Sequence, residues 1–546
     1  MATHRIRMAR MLPLLGILTL LALLVNADPS VDGRSEQTVF ATTKSPKRVA
    51  IVGAGAAGTS AAFFLRRAAR VAEERAGAEP GEFLGVIDVF DKEDYVGGRS
   101  TVVYPHSDPK LQAVELGASI FVGANENLVK AAKLFNLTTA DPGFAEAGIG
   151  IWDGSQFLFT TTTTKSRWSG WWDTIAALRR YGPLSPYRQN KAVNALLTKF
   201  KHLYDSAWLA QRGTVSSIEE FAATLELGAE LTSRTGLDWA KNEVGVNDRW
   251  ASEIIEGSTR VNYARDLDQI HALGAGVSLA TGEATSIEGG NRRLFSSMVK
   301  DSGANVHLNT VVTEIKVLDE GDDVPSFRVL TNVSDNTYDQ VFFAAPWHHS
   351  PISKHLANSF VNPIPDQEYV TLHVTLLATT APTPHPSFFG LPPNTAIPTT
   401  VITSAAAPSR TMGETSEGSG EYVVKLFSLS EIDDYTLTTI FGSEPTWVYR
   451  KVWQSYPALA PIATYAPVEP VPGLHYLAAL EPWVSTMETQ TLSAREAVAR
   501  VAQRWWGIGP GECREGKGLG PDLRRGVSVK DGRLKNMSIV VHYEVS

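Results

Sequence analysis

The sequence predicts an α/β protein: a Rossmann-like nucleotide-binding domain, split in sequence, joined to a mixed helical and β-sheet substrate domain. Two observations lead there. In "KRVAIVGAGAAGTSAAFFLRR" (47–67), four apolar residues run into Gly53-Ala54-Gly55-Ala56-Ala57-Gly58 and then into a small-residue apolar run. That is the pattern of a strand turning sharply into a helix. Further on the chain changes character: residues 160–280 carry helical periodicity, whereas 365–450 alternate β-rich runs such as "YVTLHVTLLATT" with Pro- and Ser-rich loops.

Taken in order, the nucleotide half begins with the strand from Arg48, a helix from Thr59 to about Ala72, a loop "EERAGAEPGEF", and a second apolar strand, Gly85–Phe90. Gly53 permits the tight turn, Gly55 lets backbone approach a pyrophosphate, and Gly58 lets the helix pack on the strand. Amides at the helix start, around Ala56 and Ala57, supply donors to the phosphates. Asp91 ends the second strand and is the candidate for the ribose hydroxyls. It lies 33 residues after Gly58, so the crossover must carry an insertion, expected at 70–82. Gly97-Gly98-Arg99 follows, suited either to pass beside a cofactor or to form a surface turn. Spacing alone leaves NAD and FAD open.

Beyond this come the helical block, where "SSIEEFAATLEL" starts with a capping Ser and early acids, then strands "ANVHLNTVVTEIKVL" and "QVFFAAP", and a last helix "SAREAVARVAQRWW". The expected division is a signal peptide (1–27), a flexible lead-in (28–46), a nucleotide domain in three parts (47–160, 281–350, 466–508), a mainly helical substrate lobe (161–280), a β-rich substrate domain (351–465) and a C-terminal tail (509–546).

Arg5, Arg7 and Arg10 precede an apolar run, Met11 to Val25, and a small-residue site at Val25-Asn26-Ala27, the order of a cleaved secretory signal. A retained anchor is the alternative, but the run is short for a span and carries Pro13. No other stretch is long and apolar enough to cross a bilayer, so the mature chain is expected to be soluble or in peripheral membrane contact. A net charge of −8 argues against nucleic acid as a partner. Cys513 is the single cysteine, so no intrachain disulfide can form, and its Gly-rich setting favours an inert thiol. Sequons at Asn136, Asn332 and Asn536 permit glycosylation without arguing for it. No His/Cys cluster has metal-ligand spacing, so no metal is expected.

"VAIVGAGAAGTSAAFFL", "VFDKEDYVGGR" and "ELGASIF" together resemble the FAD-dependent, amine-oxidase-like flavoproteins. The resemblance makes the split domain an FAD-binding one. It implies that Asp91, Lys92, Gly98 and Arg99 lie along the nucleotide and that Gly117, Ala118 and Ser119 pass near the isoalloxazine ring. It also implies that the backbone at Val312, in "VHLNTVVTEI", meets the adenine.

"WSGWWDTIAALRRYGPLSPYR", "GSTRVNYARDLDQIHALGAGVSLA", "SIEGGNRRLFSSMV" and "HYLAALEPWVSTMETQTLSAREAVARV" are similar to the prenylcysteine oxidase (prenylcysteine lyase) family. In the last block Ser485, Met487 and Glu488 stand at its most characteristic positions, and Glu481-Pro482-Trp483-Val484 departs from the Gly-rich helix start of other flavin oxidases. Glu481, Met487 and Glu488 are the expected flavin contacts there. What the resemblance implies is a thioether oxidase: the carbon beside the sulfur of farnesyl- or geranylgeranylcysteine gives hydride to flavin, and water attacks the cation. Collapse then releases cysteine and a prenyl aldehyde, and O2 returns as H2O2. Such a chain would reside in the secretory pathway, a lysosome or vacuole, or outside the cell.

Residue types then suggest substrate contacts. Trp168 and Trp172, four apart on one helical face, could line a prenyl groove or fill the lobe's core. Tyr263, Arg260 and Asn262 could meet the cysteine head or the flavin, and His271 could relay a proton, although a structural role is the more ordinary reading of each. The turn Glu288–Asn291, with Asn291 as a substrate contact, would bring backbone near a ring. Another flavin oxidase of the amine-oxidase group, or a flavin-binding lipid carrier without turnover, are the competing readings.

Overall fold

A computed structural model describes residues 45–140, 148–161, 169–282, 284–318, 324–356, 360, 363–403, 409–414 and 420–512. The signal segment, the lead-in up to residue 44, Trp168, Cys513 and Asn536 lie outside the described residues, as does the side chain of Trp172.

A five-stranded parallel sheet forms the nucleotide half, in the order Leu474–Tyr476, Gln340–Phe343, Lys47–Val52, Leu84–Phe90, Asn305–His307. Its strands come from three separated stretches of chain, and the central strand pairs Ile51 with both Phe342 and Val89. Both faces are covered, which is why these strands read as unbroken apolar runs rather than alternating ones. Helix Ala56–Ala76 packs on the sheet against helices Met487–Trp506 and Arg292–Ser302. The seam with the last helix is lined by alanines, among them Ala57, Ala61, Ala68, Ala494, Ala497 and Ala502. Small side chains allow these backbones to approach closely.

The first helix extends to Ala76, so Glu73–Ala76, expected in the loop, are helical. Buried Glu73 accepts from the Gly81 N–H (2.9 Å) and the Phe83 N–H (3.2 Å), folding the loop back on the helix end. The insertion in the crossover is therefore largely extra helix.

A seven-stranded sheet makes the second half, in the order Trp447–Pro457, Tyr369–Thr379, Tyr422–Ser428, Ser409–Glu414, Thr400–Thr403, Ile149–Trp152, Phe157–Thr160. Residues 149–160, assigned by sequence to the nucleotide domain, join this sheet instead, through parallel pairing of Ile149–Trp152 with Thr400–Thr403. Local alternation signals a strand but not its partner, and the partner lies some 250 residues away. The helical lobe follows, packed around Trp239, Trp250 and Tyr181 and containing two π-helical stretches, Trp239–Val244 and Trp250–Ile255. Among the described residues no helix is long and apolar enough to cross a membrane.

Candidate active site

A cavity of about 940 Å³ runs from the glycine loop to the seven-stranded sheet. At its nucleotide end three segments are tied together at Ala54. The Ala54 N–H donates to Asp91 Oδ2 (2.7 Å), and the Ala54 carbonyl accepts from the Gly97 N–H (2.9 Å). Asp91 Oδ1 accepts from the Glu93 N–H (2.9 Å), and burial raises the carboxyl pKa. Gly53, Gly55, Ala56 and Ala57 line the wall beside Asp91 and Lys92. Gly58 does not: a Cβ there would lie 1.8 Å from the Gly53 carbonyl oxygen, so it packs helix on strand. Val312 lines the same end from the third segment.

Gly98 faces Gly55 across a narrow gap, and a Cβ on Gly98 would lie 3.1 Å from the Gly55 Cα. Two bare backbones at a helix start form a cradle of the kind a pyrophosphate requires. The elongated cavity and this cradle fit a dinucleotide.

Midway, Gly117, Ala118, Ser119 and Met487 line the wall, and the Ala118 N–H donates to the Arg99 carbonyl (3.0 Å). Asn262 and Tyr263 contribute from helix Glu256–Tyr263. The Tyr263 and Tyr456 rings meet edge to face, 5.7 Å between centroids. Tyr263 is buried and Tyr456 half-buried; loss of water around them raises their hydroxyl pKa values, so they stay neutral. At the far end the floor is one face of the seven-stranded sheet: Leu372 and Val374 beside Phe427 and Trp453.

On that face sits Lys425, whose Nζ donates to the Glu115 carbonyl (2.7 Å) and to Ser119 Oγ (2.9 Å). Glu115 Oε1 accepts from the Asn291 N–H (2.5 Å), while Oε2 is buried without a hydrogen-bond partner among the described residues. Burial pushes this carboxyl up to about 7, against the pull of the Asn291 N–H, Lys425 and Arg292. Lys425 was not singled out by sequence. The available signal was the alternation Val423, Lys425, Phe427, a lysine on the inward face of an otherwise apolar strand.

Several expected site residues lie elsewhere. His271 is fully buried as the cap of helix Ala272–Ser278: Nδ1 accepts from the Gly274 N–H (2.9 Å) and Nε2 donates to the Pro482 carbonyl (3.0 Å). With both nitrogens engaged, and burial holding its pKa near 4, it cannot relay protons at the cavity. Arg260 is held by Glu256 (2.8 Å) and Asp266 (2.6 Å), away from the lining. Asn291 is buried behind it, bonding the Ala118 carbonyl and the Ile287 N–H, so it shapes the wall without reaching a substrate. Glu481 is the buried partner of Arg99, and Tyr369 donates to it (2.8 Å), so the Arg99 charge is spent there rather than on phosphates. Glu488 accepts from the Asn127 and Leu128 N–H groups and the Tyr204 hydroxyl. It caps helix Glu126–Leu134 from across the core.

A parallel nucleotide sheet, a glycine cradle and a long cavity closed by a second sheet define a dinucleotide-binding protein of the Rossmann-containing kind. Residues 51–135 match the model of an NAD(P)-binding Rossmann-like domain. The solved structures that resemble the chain include a putrescine oxidase, with TM-score 0.53 and 15% identity over 84% of this chain and 99% of that one. Residues 163–508 match the prenylcysteine lyase model, and the chain belongs to that family. A farnesylcysteine lyase of Arabidopsis thaliana is 27% identical over 84% of this chain and 88% of its own length. Prenylcysteine oxidase 1 of Homo sapiens is 27% identical over 85% and 90%.

Proposed function

We propose that the chain is an FAD-dependent thioether oxidase. It takes S-prenyl-L-cysteine, O2 and water to a prenyl aldehyde, free cysteine and H2O2. The observation that carries this reading is the continuity of the cavity from the glycine cradle onto the apolar sheet face of Leu372, Val374, Phe427 and Trp453. An apolar tail laid on that face places its polar end toward the middle of the cavity. The names of the two relatives, acting on farnesylcysteine and prenylcysteine, support the same substrate class.

FAD, when bound, supplies the two-electron acceptor. The chain's own residues do the holding. The amides after Gly55 take the pyrophosphate, Asp91 the ribose, and the backbone at Val312 the adenine. Gly117–Ser119 and Met487 flank the middle of the cavity. Tyr263 and Tyr456 exclude water there and, being neutral, place no charge beside the reacting carbon. Entry through the secretory pathway, to a lysosome, vacuole or the exterior, completes the reading.

The test is anaerobic mixing of the FAD-loaded protein with farnesylcysteine, followed by visible absorbance and product analysis. Bleaching, with aldehyde and cysteine as products, is expected. Ammonia instead of cysteine would mark an amine oxidase, and persistent yellow colour would mark a carrier without turnover.

A further inference from the structure

Charge is distributed unevenly over this molecule. Ser169–Tyr204 holds six basic residues against a single acid, Asp173, a net of +5 in a chain whose formal charge is −8. Its two main helices, Ser169–Tyr181 and Leu184–Phe200, are joined at Gly182-Pro183. The second is two-faced. Ser185, Gln189, Val193 and Leu196 are buried, whereas Leu184, Tyr187, Arg188 and Lys191 share a stripe that faces solvent.

Large apolar residues stand on the solvent side around the junction: Leu178 is 43% exposed, Leu184 59% and Tyr187 66%. The helix already has an inward face, so these residues are not needed for packing. Of the cations, Arg180 is held by Glu253, Arg188 bonds the Gly245 carbonyl, and Lys199 pairs with Glu226. Arg179, Lys191 and Lys201 are exposed and make no ion pair or side-chain hydrogen bond among the described residues.

We propose that this helix pair docks the protein on an anionic lipid bilayer. Leu178, Leu184 and Tyr187 enter the boundary between headgroups and acyl chains, while Arg179, Lys191 and Lys201 meet the lipid phosphates. Exposed apolar groups interleaved with uncommitted cations match such a surface on both counts. A second copy of this chain does not, because two patches that each carry unpaired cations repel. The surface is independent of the reaction proposed above, and its failure would leave that reaction untouched.

The experiment is cosedimentation of the full FAD-loaded chain with vesicles, either 7:3 phosphatidylcholine to phosphatidylglycerol or phosphatidylcholine alone, at low and high salt. Binding to the anionic vesicles, weakened by salt, is expected. Leu184→Asp with Tyr187→Asp, and separately Arg179→Glu with Lys191→Glu, should each lower partitioning about tenfold or more. All four positions are exposed, so melting temperature and turnover of a water-soluble short-chain substrate should stay unchanged. No binding, equal binding to neutral vesicles, or variants that bind as the parent does overturns the proposal.

Discussion

A methyl group on Gly58 has nowhere to go, because the atom 1.8 Å from its Cβ is a main-chain oxygen that no rotamer change can move. Gly58→Ala must push the first helix off the sheet. It should lower stability by about 3 kcal/mol or more and strip FAD during purification, read as lost visible absorbance. Glu481 presents the electrostatic counterpart. Glu481→Ala leaves the half-buried Arg99 guanidinium at the cavity wall without its carboxylate, with an expected loss on the order of 1–2 kcal/mol in urea unfolding. Glu481→Gln, which keeps hydrogen-bond acceptance, should lose clearly less. At this scale the sequence was legible where a residue's partners are near it in the chain. Gly53, Gly55 and Asp91 act within one strand-helix-strand unit. Glu481 and Glu488 were misread because their partners, Arg99 and the Asn127–Leu128 amides, lie more than 350 residues away.

Helix Met487–Trp506 starts at a reciprocal capping box, in which Thr486 and Thr489 each bond the other's backbone N–H. Because this helix carries Met487 on the cavity wall and packs on the first helix, fraying its start loosens both. Thr486→Ala should cost about 1 kcal/mol in melting experiments, and Thr486→Ser should restore most of it. Element type was readable throughout the helical block, since 3.6-residue periodicity is a local property. Pairing was not. The strand Ile149–Trp152 looked like the end of the nucleotide domain and belongs to the other sheet. Alternating residues show which face is apolar, and only the assembled sheet shows which edge accepts the strand.

Two buried histidines contribute to the pH response of the whole molecule. Burial holds His271 near 4 and His475 near 3, both below the ordinary value of 6.5. The unfolded chain therefore binds more protons between about pH 4 and 6.5, and stability must fall as pH is lowered through that window. Glu115, raised to about 7 by burial, acts in the opposite sense: its contribution is present below its unfolded value and lost as pH rises through 7. Asp91, Glu256 and Glu488, which burial also raises, act in the same sense as Glu115, so the histidine contribution is read as a difference between parent and variant. In urea unfolding at pH 7.5, 6.0 and 5.0, His271→Asn should lose less stability on acidification than the parent. What the sequence by itself determined is the local machinery: the glycine turn, the acid after the second strand, the helical block and the family-like segments. Each rests on contiguous residues whose spacing carries the chemistry. What only tertiary structure decided is which side chains reach the cavity. His271, Arg260, Asn291, Glu481 and Glu488 are consumed by partners inside the fold, while Lys425, Phe427 and Trp453 arrive at the site on strands remote from the glycine loop. Burial and hydrogen-bond satisfaction are properties of the packed chain, and they decide which side chains line the cavity and which are held behind its wall.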